Sequence, residues 1–582
     1  MCGIVGIFNC NNDEPVNDDV LKKMRDTMVH RGPDGEGLWV SRDRRIGFGH
    51  RRLSIIDLSQ SANQPLCNED GTVWIVFNGE IYNHSEIRPE LEARGHRFKT
   101  DHSDTEVIIH AFEEWGKDCV QRFRGMFAFA IWNENKKELW FFRDRIGIKP
   151  FYYTIQNGTF IFASEIKAIL TCPGIHRAVD EVAFYHYLSF YISPCPNTLF
   201  DRIKKLSPGH YGKVGNNGQV EIARYWDVLD YTLPLTGLSE KEIAEALLAE
   251  LRTAVKLRKV SDVPVGIFLS GGIDSSTNAV LFSEGEINSV KTFSIGYDQE
   301  YKYFKNEFYY ADIIAKIVKS RHYELRLTMD DIMNFWHQFI KYQDEPISDP
   351  ANIPTYYVSE LARDNGVIVC QVGEGGDELF CGYPTWKTFI KFQRLSNIPL
   401  TGPFKKMGLS ILNAMGKEDK TRYEWLRRAA SGEPIFWGGA QAFTEQQKKR
   451  LLSHRLRRQF YKYSSYEALK SIVSSFNEKA WERTPLNWMT YLDLNLRLPE
   501  ILLMRVDRMS MAASVEARVP FLDHKFVEMV MSIPESLKIR NGELKYILKK
   551  AVRGLIPEEI INRKKQGFSD LLSEWFFEKN KS

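Results

Sequence analysis

The chain has 582 residues, 43% of them hydrophobic and 26% charged, with a formal net charge of +3. At ~100–200 residues per domain, that length and balance describe a globular protein of two or more domains, and a net charge this small gives no global attraction for nucleic acid or a membrane. The eight cysteines form no CxxC pair and no zinc-ligand spacing, and no run reaches the ~18 apolar residues of a membrane span. The expected compartment is therefore the cytoplasm, with neither nucleic acid nor a membrane as partner.

The chain opens Met1-Cys2-Gly3-Ile4-Val5-Gly6-Ile7-Phe8, a predicted strand with its first residue at the surface. If Met1 is trimmed, Cys2 carries a thiol and a free α-amine on one residue. An amine titrating near pH ~8 can act as the base for its own thiol, as in an N-terminal nucleophile. Val73 to Phe77 is a predicted strand ending at Asn78-Gly79, with a helix from Glu80 to Arg94 after a short loop. Thr105 to Phe123 is a predicted amphipathic helix with Ile108, Ile109, Phe112 and Trp115 on one face. Phe127–Trp132 and Leu139–Phe142 form a predicted hairpin, a further strand reaches Tyr153, and Ala163 to Ala168 starts a helix.

Four motifs follow Cys2-Gly3-Ile4 in order: His30-Arg31-Gly32-Pro33-Asp34-Gly35, His50-Arg51-Arg52-Leu53-Ser54-Ile55-Ile56-Asp57, Asn78-Gly79-Glu80-Ile81-Tyr82-Asn83 and Ser103-Asp104-Thr105-Glu106. Together they resemble the class II glutamine amidotransferase domain, an N-terminal-nucleophile hydrolase, over residues 2–210. The resemblance implies an αββα sandwich of two antiparallel sheets between helical layers. It also implies Cys2 as nucleophile and L-glutamine as substrate. A side-chain amide beside a glycine N–H supplies two donors for a tetrahedral oxyanion, which assigns that task to Asn78 and Gly79. The planar fork of Arg52 suits the α-carboxylate of glutamine, and Glu80 and Asp104 are expected at its ammonium.

Residues 194–235 are rich in proline, glycine and asparagine, and the domain boundary is expected between 210 and 240. Leu238 to Lys259 reads as a helix leading into Val265–Leu269, a buried strand. Ser270-Gly271-Gly272 then turns the chain, and Asp274, Ser275 and Ser276 open a helix. A glycine turn at a helix N-terminus offers backbone N–H groups to a phosphate, the serines add hydroxyls, and Asp274 can hold a magnesium ion. The run resembles the pyrophosphatase loop of enzymes that form adenylates, and it lacks the Gly-Lys-Ser/Thr ending of a Walker loop. Strands at Lys291–Gly296 and Val367–Val372, alternating with helices, imply an α/β parallel-sheet domain whose ligands sit at the carboxyl ends of its strands. The backbones of Phe268, Leu269 and Ile295 are candidates for holding adenine. The third strand delivers Gly373-Glu374-Gly375-Gly376-Asp377-Glu378, which brings Asp377 to the metal beside Asp274 and Glu374 to the reacting carboxylate. The basic runs at Gln446–Arg450 and Arg455–Arg458 read as a solvated helix face.

Leu498 to Asp523, Gly542 to Lys549 and Arg563 to Phe568 complete a resemblance to the synthetase domain of the glutamine-hydrolysing asparagine synthetase family. That domain spans 240–582. The resemblance implies that ATP lies on Phe268, Leu269, Ser270, Gly271, Gly272, Asp274, Ser275, Ser276, Ile295, Val372 and Gly373, with Mg2+ on Asp274 and Asp377. It gives Glu374 and Lys545 catalytic tasks and routes ammonia through an internal channel. L-aspartate is the expected acceptor, a sugar uronate the alternative, and a homodimer is compatible with the sequence. The chain departs from the family pattern at Val372, where Ser or Thr is usual, and at Leu571, where Pro is usual. Both departures bear on the acceptor side.

Overall fold

The computed structural model describes residues 2–12, 14–298, 306–398 and 401–565. Gln566, Gly567, Phe568 and Leu571, named above, lie outside them.

The first half builds two six-stranded antiparallel sheets. One centres on Gly3–Asn9, flanked by Ile46–Arg52 and Thr159–Ala163; the other centres on Gly125–Asn133, between Val73–Ile81 and Glu138–Arg143. Phe8, Phe48, Val76, Trp132, Phe141 and Phe162 fill the space between the sheets. Helix Asp18–Asp26 covers the outer face of the first sheet through Leu21 and Met24. Helix Asp104–Trp115 covers the second through Ile108, Ile109 and Phe112. This is the αββα sandwich expected. Every residue of Gly3–Asn9 is buried, because that strand is covered on both faces.

Several boundaries differ from expectation. The strand from Val73 does not stop at Asn78-Gly79. It runs to Ile81, with Asn78 opposite Ala128 and Gly79 opposite Phe127. Gly79 permits this, since its φ is +154° and a Cβ there would collide with the Met126 carbonyl. The helix accordingly begins at His84, not Glu80. Gly116, at φ +57°, ends the helix expected to reach Phe123, and a 3-10 turn carries on to Gln121. Ala163 closes a strand, and the next helix starts at Ile166. Cys2 is buried rather than at the surface. The second sheet takes its last strands from His210–Val214 and Val220–Arg224. The glycine-rich 215–218 stretch is the hairpin turn between them, so the pairing of the first half extends past 210 to Arg224.

The second half is organised on a five-stranded sheet in which every pair is parallel, in the order Arg321–Leu327, Lys291–Tyr297, Val265–Phe268, Val369–Gln371, Glu516–Arg518. The sequence order reverses at Val265–Phe268, and such a switch point opens a crevice at the carboxyl ends of the strands. Helix Leu503–Ala512, which follows a π-helical turn at Leu498–Leu502, is buried along its whole length. The basic run expected to be solvated is so except at Lys448. Its Nζ is buried, 2.8 Å from Ser465 Oγ and 2.9 Å from Glu445 Oε1, and stands 3.5 Å from the ring of Tyr185 in the first half.

One apolar core joins the halves, with Leu53, Met126 and Ile146 packed in the same cluster as Leu502 and Val506. Buried ion pairs fix its register. Arg31 donates to both carboxylate oxygens of Asp507, at 2.8 and 3.1 Å. Glu165 accepts from Arg31 at 3.1 Å and pairs with Arg508 at 2.9 Å, and Arg508 reaches Asp344 at 3.0 Å. Burial pushes the Asp507 carboxyl up, but Arg31 and Lys149 outweigh it and hold it below the usual range. A depressed pKa means its contribution is full at neutral pH and is lost only as pH falls through the folded value. Asp507→Ala leaves Arg31 buried without that partner, an expected cost of about 3–5 kcal/mol. Thermal unfolding at pH 7 should show a clearly lowered midpoint. An unchanged midpoint would mean the pair does not hold the halves together.

Candidate functional site

Cys2 N donates to Asn78 Oδ1 at 3.0 Å, the Cys2 carbonyl accepts from Arg31 Nε at 3.1 Å, and Cys2 Sγ lies 4.0 Å from Leu53 O. With the oxygen of the Asn78 amide committed to Cys2, its Nδ2 is buried without a partner. That donor belongs to a side chain held against the Cys2 backbone, with Gly79 next to it in the same strand. Burial pushes the thiol above its usual range, so at neutral pH it needs a base. Burial also holds His50 neutral, its pKa down to about 3, and its Nε2 is engaged with Phe77 O at 3.2 Å. The Cys2 nitrogen, which becomes an amine only on removal of Met1, is held by Asn78.

The Arg52 guanidinium is buried and held by neutral oxygens: Ser59 O at 2.9 Å, Asn63 Oδ1 at 2.7 Å and the Asp57 carbonyl. It makes no ion pair among the described residues, which leaves it suited to an incoming carboxylate. Asp104 accepts from Ile81 N at 3.0 Å. Glu80 has one oxygen without a hydrogen bond and the other 3.7 Å from Arg518 of the second half. Burial raises both acids above the usual carboxylate range, with Glu516 and Asp104 adding to the effect at Glu80. An ammonium placed there would meet two acids short of positive charge.

The second site is a cavity of about 940 Å3 at the switch point of the parallel sheet. Phe268, Leu269, Ser270, Gly272, Asp274 and Ser275 line it from one strand end, Ile295 from the next, and Val372, Gly373, Glu374 and Asp377 from the third. Gly271 and Ser276 do not line it: the Gly271 carbonyl accepts from Arg563 at 2.8 Å, and Ser276 is buried behind the turn. Ile295 is not at its strand's end, since pairing continues to Tyr297. Leu269 has its N–H bonded to Phe293 O at 2.8 Å and its carbonyl to Ser294 Oγ. No side chain caps helix Ile273–Ser283, so its first N–H groups stay available for an anion.

Asp274 and Asp377 are brought together as expected. Lys545 Nζ lies between them, 2.5 Å from Asp274 Oδ2 and 2.6 Å from Asp377 Oδ1, and Lys565 Nζ is 2.5 Å from Asp377 Oδ2. The approach depends on glycines, because a Cβ on Gly376 would sit 2.5 Å from Asp274 Cγ and one on Gly382 would collide with Asp377 Oδ1. Burial raises Asp274, with Lys545 only partly offsetting it, whereas both lysines outweigh burial at Asp377 and hold it far below its usual range. Lys545 takes a left-handed conformation at φ +56°, an expense of backbone energy that its two ion pairs offset. Two hard carboxylates already gathered about a cation, beside a phosphate-type loop, fit Mg2+. Glu374 forms an ion pair with Arg505, which also reaches Asp349 at 3.0 Å. Burial keeps its carboxyl above the usual range against the pull of Arg505.

Sequence reading missed Arg505, Asp349, Lys565 and Arg563 at this cavity. The first two had a signal: Asp344-Glu-Pro-Ile-Ser-Asp349-Pro and Arg505-Val-Asp507-Arg508 set charges among apolar residues, where each needs a partner. Of the described residues, His96, His110 and Glu113 also have metal-ligand spacing. That cluster is already closed as ion pairs: against the pull of burial, Glu106 and Glu113 push His110 up to about 9.

Residues 1–226 match the family model described as a glutamine amidotransferase domain, and residues 246–582 the model described as asparagine synthase. The chain is 36% identical over 579 residues to glutamine-hydrolyzing asparagine synthetase 1 of Bacillus subtilis (strain 168), covering 99% of this chain and 88% of that protein. It is 31% identical to glutamine-hydrolyzing asparagine synthetase 3 of the same strain, with 98% and 87% covered. Amidase chyE of Penicillium rubens is 30% identical, with 99% and 89% covered. One family model covers more than half of the chain, and relatives above 30% identity run along nearly all of it. The chain therefore belongs to the asparagine synthase family of carbon–nitrogen ligases, as a member that joins a glutamine amidotransferase domain to the synthetase domain.

Proposed function

We propose that the protein transfers the amide nitrogen of L-glutamine to the β-carboxylate of L-aspartate at the expense of ATP, giving L-asparagine, L-glutamate, AMP and diphosphate. The observation that carries this reading is the convergence of the 270–275 loop, Asp274, Asp377 and Glu374 on one cavity.

With Met1 removed, the α-amine of Cys2 takes the thiol proton and Sγ attacks the glutamine amide carbon. Asn78 Nδ2 and the Gly79 N–H stabilise the oxyanion, Arg52 holds the α-carboxylate, and Asp104 and Glu80 meet the ammonium. Collapse expels ammonia and leaves a thioester, which water hydrolyses to glutamate. The apolar cluster from Leu53 and Met126 to Leu502 and Val506, two residues that also line the synthetase cavity, favours passage of neutral ammonia over ammonium. In that cavity an aspartate carboxylate oxygen attacks the α-phosphorus of ATP, and diphosphate leaves along the Ser270–Ser275 turn. Mg2+ held by Asp274 and Asp377 would neutralise phosphate charge there. Lys545 supplies positive charge beside the same oxygens. Ammonia then attacks the acyl carbon, Glu374 takes the proton it sheds, and AMP departs.

Three outcomes are expected. Cys2→Ala, and separately a glycine inserted between Met1 and Cys2, should each lower glutamine-dependent amidation on the order of 1000-fold or more. Turnover with added ammonium should stay within a few-fold. Glutamine-dependent turnover surviving in either variant would exclude the N-terminal thiol mechanism. Asp274→Asn and Asp377→Asn should each abolish AMP and diphosphate formation and leave glutaminase activity largely intact; full synthetase activity would remove their metal-binding role. For the acceptor, MgATP cleavage should accompany aspartate and not a sugar uronate, and the reverse pattern would reassign it.

A further inference from the structure

The outer helical layer of the first half carries a further group of converging side chains. His110 and Glu113 stand one turn apart on helix Asp104–Trp115, and so on one face of it. His96, in the return from helix His84–Ala93, sets its ring 5.0 Å from that of His110, centroid to centroid. Glu113 Oε2 lies 2.8 Å from His110 Nδ1 and 3.6 Å from His96 Nδ1. Two ligands of a tetrahedral zinc ion stand about 3.4 Å apart, given metal–ligand bonds of about 2.0–2.2 Å. The two distances straddle that value, so small side-chain rotations bring all three atoms to coordination.

Each member also has an outer partner of the kind that orients a metal ligand. His96 Nε2 lies 3.4 Å from Glu114 Oε2, and Glu114 Oε1 pairs with Arg94 at 2.7 Å. Glu113 Oε1 accepts from Asn68 Nδ2 at 2.6 Å, which leaves Oε2 to the two rings. His110 Nε2 is buried without a hydrogen bond, and Glu106 Oε1 stands 3.8 Å from it. Glu106 is itself fixed by the N–H groups of Lys99 and Thr100, at 2.7 and 2.8 Å. A metal on Nδ1 would put the ring's proton on Nε2, where that carboxylate faces it. Without a metal the three groups close on one another as ion pairs, and an ion would take the place of the proton between His110 Nδ1 and Glu113.

Two imidazoles and one carboxylate suit zinc, whereas Mg2+ and Ca2+ take oxygen ligands. His110 is buried at the inner end, while His96 and Glu113 reach the surface. An ion therefore has a way in, and a water has a place as fourth ligand. We propose that His96 Nδ1, His110 Nδ1 and Glu113 Oε2 form a binding site for a zinc ion. The ion would clip the 94–103 return to helix Asp104–Trp115. None of the three residues lines the synthetase cavity, and zinc binding here does not depend on which carboxylate is amidated. The cysteine spacing bears only on thiolate sites, and no thiolate takes part.

The test is equilibrium dialysis of the full-length protein against Zn2+, followed by X-ray absorption at the zinc edge. Cys2→Ala serves as background to remove that thiol, and excess Mg2+ competes at the Asp274–Asp377 pair. One zinc per chain should be retained, in a shell of nitrogen and oxygen at about 2.0–2.2 Å that includes two imidazoles. His96→Gln with Glu113→Gln should lose it, and Glu114→Gln should weaken binding about 10–100-fold. The proposal is overturned if no zinc is retained or if the double variant retains as much as its parent. It is also overturned by a shell that lacks two imidazoles or contains sulfur at about 2.3 Å. That shell is read without any change to the three ligands, so it decides even where the double variant fails to fold.

Discussion

The bidentate pair between Arg31 and Asp507 is the contact on which the two-site architecture turns. Arg31 touches the Cys2 carbonyl with Nε and Asp507 with both terminal nitrogens, so one guanidinium links the Cys2 backbone to helix Leu503–Ala512. Two residues before Asp507, the same helix carries Arg505, which holds Glu374. The thiol and the synthetase acid are therefore both referenced to one buried helix. Buried charges of this kind are expensive to desolvate and add little net stability. What they supply is register. An apolar interface alone tolerates sliding, whereas a bidentate pair joined to Glu165, Arg508 and Asp344 has one low-energy arrangement.

Close approach of the polar groups at both candidate sites is set by residues without side chains. Gly79 lets a strand pass the Met126 carbonyl and continue pairing, which aims Asn78 at Cys2. Gly376 and Gly382 let the two carboxylates of Asp274 and Asp377 come near enough to share one cation. At both sites the polar groups are left in states that a ligand would complete: an amide donor without an acceptor, a guanidinium without a carboxylate, two acids sharing a lysine. Preorganised groups of this kind cost stability in the free protein and are recovered on binding.

Much of the two candidate sites was legible in the sequence because it is local. Ser270-Gly-Gly-Ile-Asp-Ser-Ser276 after an apolar strand, and Gly373-Glu-Gly-Gly-Asp-Glu378 after another, each fix a strand end, a turn and a charge within a few residues. The sandwich and the parallel sheet followed from such pieces in order. What escaped was non-local or depended on one backbone angle. Arg31 and Asp507 are 476 positions apart, and no periodicity connects them. Asn78-Gly79 read as a strand end because Asn-Gly usually turns a chain; that it does not here depends on space beside Met126, visible only in three dimensions. Lys545 was placed in the site by resemblance, but its position between the two acids was not.

Activation of a carboxylate by adenylation is the step on which the proposed reaction depends, and the fate of one oxygen tests it most directly. With 18O in the β-carboxylate of aspartate, glutamine and MgATP, the label should appear in the phosphate of AMP, because that oxygen attacks the α-phosphorus and stays with it when ammonia displaces the nucleotide. Label in orthophosphate, accompanied by ADP, would mean an acyl-phosphate route and would contradict the assignment of the 270–275 turn to diphosphate.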